Sequence, residues 1–160
     1  MIIADCGLRI ADLPEAERDA ALVEIAKQAR EQAFAPYSRF SVGAALEAAD
    51  GRIFTGCNVE SASYGMTVCA ERVAIWKAIS EGVREFGARL AIVVDTEHLT
   101  PPCGTCRQII WEFCPDVTVT LANLRGESKT YHIRDLIPYA FDSKFLAESE
   151  AARQHSETNT

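Results

Sequence analysis

Cys69 and the pair Cys103 and Cys106 constrain this chain more than any other feature. A fold must carry two distant segments to one point if all three thiols are to bind a common ion. The segments read Cys69-Ala70-Glu71 and Pro102-Cys103-Gly104-Thr105-Cys106. Three thiolates can hold one Zn²⁺ and leave a fourth position open, the arrangement of catalytic zinc, whereas four protein ligands mark a structural site. A carboxylate, Glu71, stands two residues after the first thiol.

The residues around the thiols predict where they sit. Ile75, Ala78 and Ile79 follow Cys69 at helical spacing and Gly82 supplies a stop, so a helix of about three turns opens at Cys69. Pro101 and Pro102 precede Cys103, and proline favours the first positions of a helix. A second helix is therefore expected from Cys103 through Phe113. All three sulfurs then lie near the positive ends of helix dipoles, which favours the metal-binding thiolate. Zn²⁺ with three thiolates keeps a formal charge of about −1. Arg72 and Arg107, directly after Glu71 and Cys106, are placed to offset it; the alternative for either is an ordinary surface ion pair.

Other uses of these cysteines stay open. C-x-x-C alone also fits a redox pair or half of a structural zinc site. A redox pair leaves Cys69-Ala70-Glu71 and both prolines without a role. A structural site needs a fourth ligand, and Cys6, Cys57 and Cys114 are the candidates. None of them belongs to a C-x-x-C pair. Cys57 and Cys114 border apolar segments, where a buried free thiol is common.

The rest of the chain alternates helix and strand signals. Asp12-Leu13-Pro14-Glu15 reads as a helix cap, followed by Leu22, Ile25, Ala26, Ala29 and Ala33 on one face. The segments 41–47 and 52–58 flank Asp50-Gly51, a hairpin signal. Ala88 to Asp95 is an apolar run but for Arg89 and the closing Asp95, as in a strand covered on both faces. Segments 117–121 and 130–133 pair around Arg125-Gly126. The order α-β-β-α-β-α-β-β implies one mixed sheet with helices on its faces. From about Ala147 the chain turns polar without a core face, so 147–160 is expected to be a tail, partly disordered, outside a single domain of residues 1–146.

Composition excludes several functions. A net charge of −7 and the lack of a basic stripe argue against a polynucleotide, whose binding rests on Lys and Arg neutralising phosphates. No run approaches the roughly 18 apolar residues of a membrane span. Met1 to Asp5 lacks the basic and apolar regions of a secretory signal, so a cytoplasmic protein with reduced thiols is expected. A small uncharged substrate fits best. His98, His132 and His155 match no ligand pattern.

C-x-E followed by P-C-x-x-C resembles the zinc-deaminase signature H-x-E then P-C-x-x-C, with Cys69 in place of the histidine. The likeness extends through Ala35-Pro36-Tyr37-Ser38-Arg39-Phe40-Ser41-Val42-Gly43-Ala44-Ala45, Gly56-Cys57-Asn58-Val59-Glu60, Cys69-Ala70-Glu71-Arg72 and Pro102-Cys103-Gly104-Thr105-Cys106-Arg107-Gln108. Together these resemble the small, homotetrameric cytidine deaminases, over roughly residues 20–146. The resemblance implies a three-layer α/β/α sandwich with one mixed five-stranded sheet. It also implies hydrolytic deamination of cytidine and 2′-deoxycytidine, as in pyrimidine salvage, with one Zn²⁺ per chain on Cys69, Cys103 and Cys106. Glu71 is then the proton shuttle, and the Ala70 N–H the donor to the pyrimidine O2. Asn58 and Glu60 alternate on an extended segment and so share a side; the resemblance gives them the ribose 3′-OH. Phe40 is implied to pack on the pyrimidine and Phe141 to reach a neighbouring subunit's site. Trp76 is a candidate subunit contact, and Pro101 stands where the family often has serine. The variable stretch 63–67 leaves a blasticidin-type nucleoside as a rival substrate, and a zinc-stabilised binding module as the non-enzymatic rival.

Overall fold

The computed structural model describes residues 10–157. A short 3-10 turn at Ile10–Asp12 leads into α1, Glu15–Arg30. The cap expected at Asp12 is not used: Asp12 closes the 3-10 turn, and Pro14 occupies the cap position with φ −54°. Proline suits that place because it gives up an N–H that a helix start leaves unbonded anyway. The buried residues of α1 are Ala21, Leu22, Val23 and Ala26, and Ala33 lies beyond its end.

β1, Val42–Ala48, and β2, Ile53–Cys57, form the expected hairpin. Gly51 turns it with φ 83°, a left-handed value that a side chain disfavours. α2 spans Ala70–Ser80 and ends before Gly82, at φ 90°. β3, Phe86–Val94, starts before the apolar run and runs into the loop that opens α3, Gly104–Phe113. β4, Thr118–Ala122, and β5, Ser128–His132, pair antiparallel around a turn with Gly126 at φ 91°. Two further helices follow, α4 at Ile133–Leu136 and α5 at Ser143–Glu157. The polar segment from 147, expected to be partly disordered, is therefore helical through Glu157. Its Ala, Glu, Arg and Gln are strong helix formers, a propensity that a search for a core face overlooks.

The sheet has the order β2-β1-β3-β4-β5 and is mixed: β3 and β4 are parallel and the other neighbours antiparallel. Its two faces carry alternate residues of the same strands. Ala45, Ala91, Val93 and Ala122 pack on Leu22, Val23 and Ala26 of α1. Ala44, Leu46, Leu90, Ile92, Val94, Val119 and Leu121 pack on the other side against Ala74, Ile75 and Ile110 of α2 and α3. Each fully buried Leu, Ile or Val contributes about 1.5–3 kcal/mol. Residues 90–94 of the central β3 are buried on both faces, which is why the sequence there is an apolar run without alternation.

Two glycines set how closely the helices sit. A Cβ at Gly43 would lie 2.1 Å from the Ala26 carbonyl oxygen of α1, and one at Gly56 would lie 2.3 Å from the Ala70 carbonyl oxygen of α2. Gly56 thus seats the first turn of α2 directly on β2. That turn carries Cys69 and Glu71.

Candidate metal centre and cleft

Cys69 caps α2, Cys103 caps α3 and Cys106 lies in the first turn of α3. The two helix starts face one another, so their sulfurs meet. All three lie within 4.8 Å of one another, and Cys69 Sγ is 4.0 Å from Cys103 Sγ. Thiolates about 2.3 Å from a tetrahedral zinc are about 3.8 Å apart, so these residues fit the ion. Among the described residues no fourth cysteine, histidine or carboxylate joins the group. Cys57 Sγ instead donates to the Gln32 carbonyl, and Cys114 is packed in the core. Cys6 lies outside the described residues.

Thiolate character is unevenly shared. Cys69 is drawn down to about 5, first by the hydrogen bond from the Cys106 thiol and further by Arg72. Cys106 is pushed up by that same bond and by burial. Arg72 is held in place by the Thr67 carbonyl at 3.0 Å, and its guanidinium lies 3.8 Å from Cys69 Sγ and 5.6 Å from the Trp76 ring centroid. Arg107 points elsewhere: Nε donates to the Pro102 carbonyl at 2.8 Å and an Nη to the Leu136 carbonyl at 2.9 Å. It ties the loop before Cys103 to the end of α4 rather than touching sulfur.

Glu71 is 4% exposed, and its Oε2 has no hydrogen-bond partner among the described residues. A buried acceptor left bare costs about 1–3 kcal/mol. Burial pushes the carboxyl up to about 7. Ala70, wholly buried, is the first residue of α2, where a helix leaves its N–H groups without internal partners.

These groups border one cleft of about 280 Å³. Phe40, Val42, Asn58, Glu60, Cys69, Glu71 and Cys103 all line it. Asn58 and Glu60 lie just beyond β2, where Val59 exchanges hydrogen bonds with Val68 and residues 58 and 60 bond Phe34. Alternation along that extended segment puts both on the cleft, with Val59 turned outward to solvent. Asn58 Oδ1 accepts from Val42 N at 2.8 Å and Nδ2 donates to the Phe40 carbonyl at 2.7 Å. Glu60 Oε2 accepts from Tyr37 N and Ser38 N, and Oε1 from Ser38 Oγ. The pattern of the sequence singles out neither Ser38 nor Thr100, yet both line the cleft. Ser38 had one legible sign, a hydroxyl two residues before Phe40, the spacing of a side-chain turn.

Phe141 is apart from this group. It is 58% exposed on a second groove with Trp111 and Leu146, its carbonyl held by Gln108 Nε2 at 2.9 Å.

Residues 16–122 match the model of the cytidine and deoxycytidylate deaminase zinc-binding region. The chain is 52% identical over 134 residues to a cytidine deaminase of Sporosarcina psychrophila, covering 83% of this chain and 96% of that protein. It superposes on the crystal structure of a cytidine deaminase from Burkholderia pseudomallei with a TM-score of 0.74 and 50% identity, over 76% of this chain and 98% of that one. A blasticidin-S deaminase of Bacillus cereus is 30% identical over 132 residues, 78% of this chain and 93% of that protein.

Proposed function

The chain belongs to the cytidine and deoxycytidylate deaminase family, and from that premise we propose that it hydrolyses cytidine and 2′-deoxycytidine to uridine and 2′-deoxyuridine, releasing ammonia. One observation carries the proposal: Glu71, a buried carboxylate with a bare oxygen, lines a cleft together with Cys69 and Cys103, two of three converging thiols. Cys69, Cys103 and Cys106 would hold zinc, which would supply a water-derived nucleophile near neutral pH.

The other steps fall to side chains of the protein. Glu71 Oε2 takes one proton of the attacking water and passes it to the ring N3. It then takes the second from the oxygen newly bonded to C4 and passes it to the amine, which leaves as ammonia as the C4–N bond breaks. The Ala70 N–H, at the positive end of α2, donates to the pyrimidine O2. Phe40 packs on the ring. Asn58 and Glu60 take a ribose hydroxyl, the 3′-OH. Arg72 offsets the excess negative charge of three thiolates through Cys69. Arg107, bonded to two carbonyls, acts on the charge only at longer range and fixes the loop that carries Cys103.

Phe141 lines a groove other than the cleft that these residues share, which supports its reaching a second copy in a homotetramer. All five described cysteines are free, in keeping with pyrimidine salvage in a reducing cytoplasm. No helix among the described residues is long and apolar enough to cross a membrane.

The likeness to a blasticidin-S deaminase motivates the second substrate, and the higher identity to a cytidine deaminase places it second. The test uses one purified preparation, sized by light scattering and then assayed on cytidine, free cytosine and blasticidin S. A tetramer that favours cytidine over both agrees with the proposal. Free cytosine has no hydroxyl to fill the hydrogen-bonding positions that Asn58 and Glu60 keep open beside their bonds within the protein. Faster turnover of blasticidin S, equal turnover of cytosine, or an active monomer contradicts the corresponding part.

A further inference from the structure

We propose that Ser38 is a positioning residue for sugar recognition: its hydroxyl aims the Glu60 carboxylate and ties that aim to the backbone of Phe40. The inference rests on the assignment of Glu60 to the ribose.

Ser38 makes three contacts in a span of a few ångströms. Its Oγ donates to Glu60 Oε1, its N–H donates to Glu60 Oε2 at 3.1 Å, and its Oγ accepts from Phe40 N at 3.0 Å. A hydroxyl has one proton to give. The Phe40 N–H occupies one of its lone pairs, which orients that proton toward Glu60. Between the two lies Arg39, with φ 57°, a left-handed conformation costly for a residue with a side chain. A turn of this kind persists where surrounding bonds over-determine it. Here the Arg39 N–H donates to the Ala35 carbonyl at 3.0 Å, and Ser38 bridges across the turn.

The consequence is a nearly filled carboxylate. An ionised carboxylate offers about four acceptor positions. Tyr37 N and Ser38 N occupy two on Oε2, and Ser38 Oγ occupies one on Oε1. About one remains, on the oxygen that Ser38 orients. Asn58 likewise has one amide proton bonded to Phe40 O and one left over. A single hydroxyl fits that remainder: it accepts from Asn58 Nδ2 and donates to Glu60 Oε1. Without the serine hydroxyl the carboxylate keeps its two backbone donors on Oε2 and Oε1 is free to turn. Ser38 and Phe40 line the same cleft, and the turn between them is held also by the Arg39 bond to Ala35, so loss of the serine hydroxyl falls on Glu60 more than on Phe40.

The test compares cytidine with 3′-deoxycytidine, using wild type, Ser38→Ala and Ser38→Thr, with zinc content measured on each. Wild type should favour cytidine. Ser38→Ala should lower kcat/KM for cytidine about tenfold or more, the worth of a hydrogen bond to a charged group, and change 3′-deoxycytidine far less. Ser38→Thr, which keeps a hydroxyl, should restore the preference. If wild type does not discriminate between the two nucleosides, the sugar role of Glu60 fails, and this inference with it. If wild type discriminates and Ser38→Ala keeps the same ratio with zinc intact, Ser38 does not position Glu60. Should Ser38→Ala lose zinc, Ser38→Cys, close in size and weak as a donor, carries the same expectation. Loss of zinc in both variants marks a purely structural role and overturns the inference.

Discussion

Glu71 shows at the level of one residue why a pattern of letters becomes chemistry. Its position as the second residue of α2 buries it beneath the cleft, and burial raises its carboxyl toward neutrality. A side chain that merely decorated α2 could turn a spare oxygen to water, yet Oε2 is buried and has no partner among the described residues. Glu71→Gln keeps size and polarity and removes the ability to accept a proton. Turnover of cytidine should fall by about 10²–10⁴-fold or more, since one carboxylate serves several transfers. Zinc content and nucleoside binding should stay, because Glu71 is not among the three converging sulfurs. A loss of less than about tenfold with zinc bound would show that another group moves the protons. Arg107 is the instructive contrast. Adjacency to a ligand in sequence gave it the same expected role as Arg72, but successive helix residues point about 100° apart. Arg72, three residues after Cys69, stands over the sulfur, whereas Arg107, one after Cys106, faces the Pro102 and Leu136 carbonyls.

Between elements, the site depends on how close α2 can come to the sheet. Gly56 is the residue that permits it, since a Cβ there would overlap the Ala70 carbonyl and sit 2.6 Å from Ala74 N. These are backbone atoms and cannot rotate away. Gly56→Ala should cost about 1–3 kcal/mol, as overpacking usually does. The melting temperature and kcat/KM should fall together, because the turn that must shift carries Cys69 and Glu71. An unchanged melting temperature with full activity would mean that α2 tolerates the displacement. Elements of this kind were legible in the sequence where one period dominated. The Asp50-Gly51 hairpin, the apolar run of β3 and the two cysteine-capped helices stand as expected. The start of α1 was not, because Asp12 and Pro14 both carry start signals and only packing of the 3-10 turn chooses between them. Neither was α5, whose composition signals a helix without an apolar stripe to mark it.

For the molecule as a whole, the mixed sheet converts sequence distance into proximity. β1 and β3 pair antiparallel, so Val42 lies opposite Val94 and the segments following β2 and β3 emerge at one end of the sheet. Both zinc-binding helices open at that end, which brings Cys69 and Cys103 within 4.0 Å. Pairing of this long range was visible only through the cysteines themselves, since no local period encodes it. Net charge of −7 suits an uncharged nucleoside rather than a phosphate polymer. Deamination of cytidine in this cleft by means of zinc held on three thiolates can be measured on the intact protein. Absorbance of cytidine and release of ammonia are followed with the protein as purified, after removal of metal by a strong chelator, and after zinc is returned. Conversion to uridine with one ammonia per turnover is expected, with loss of conversion without the metal and recovery with about one zinc per chain. Undiminished turnover by the metal-free protein, or no turnover of cytidine by the fully zinc-loaded protein, would contradict it.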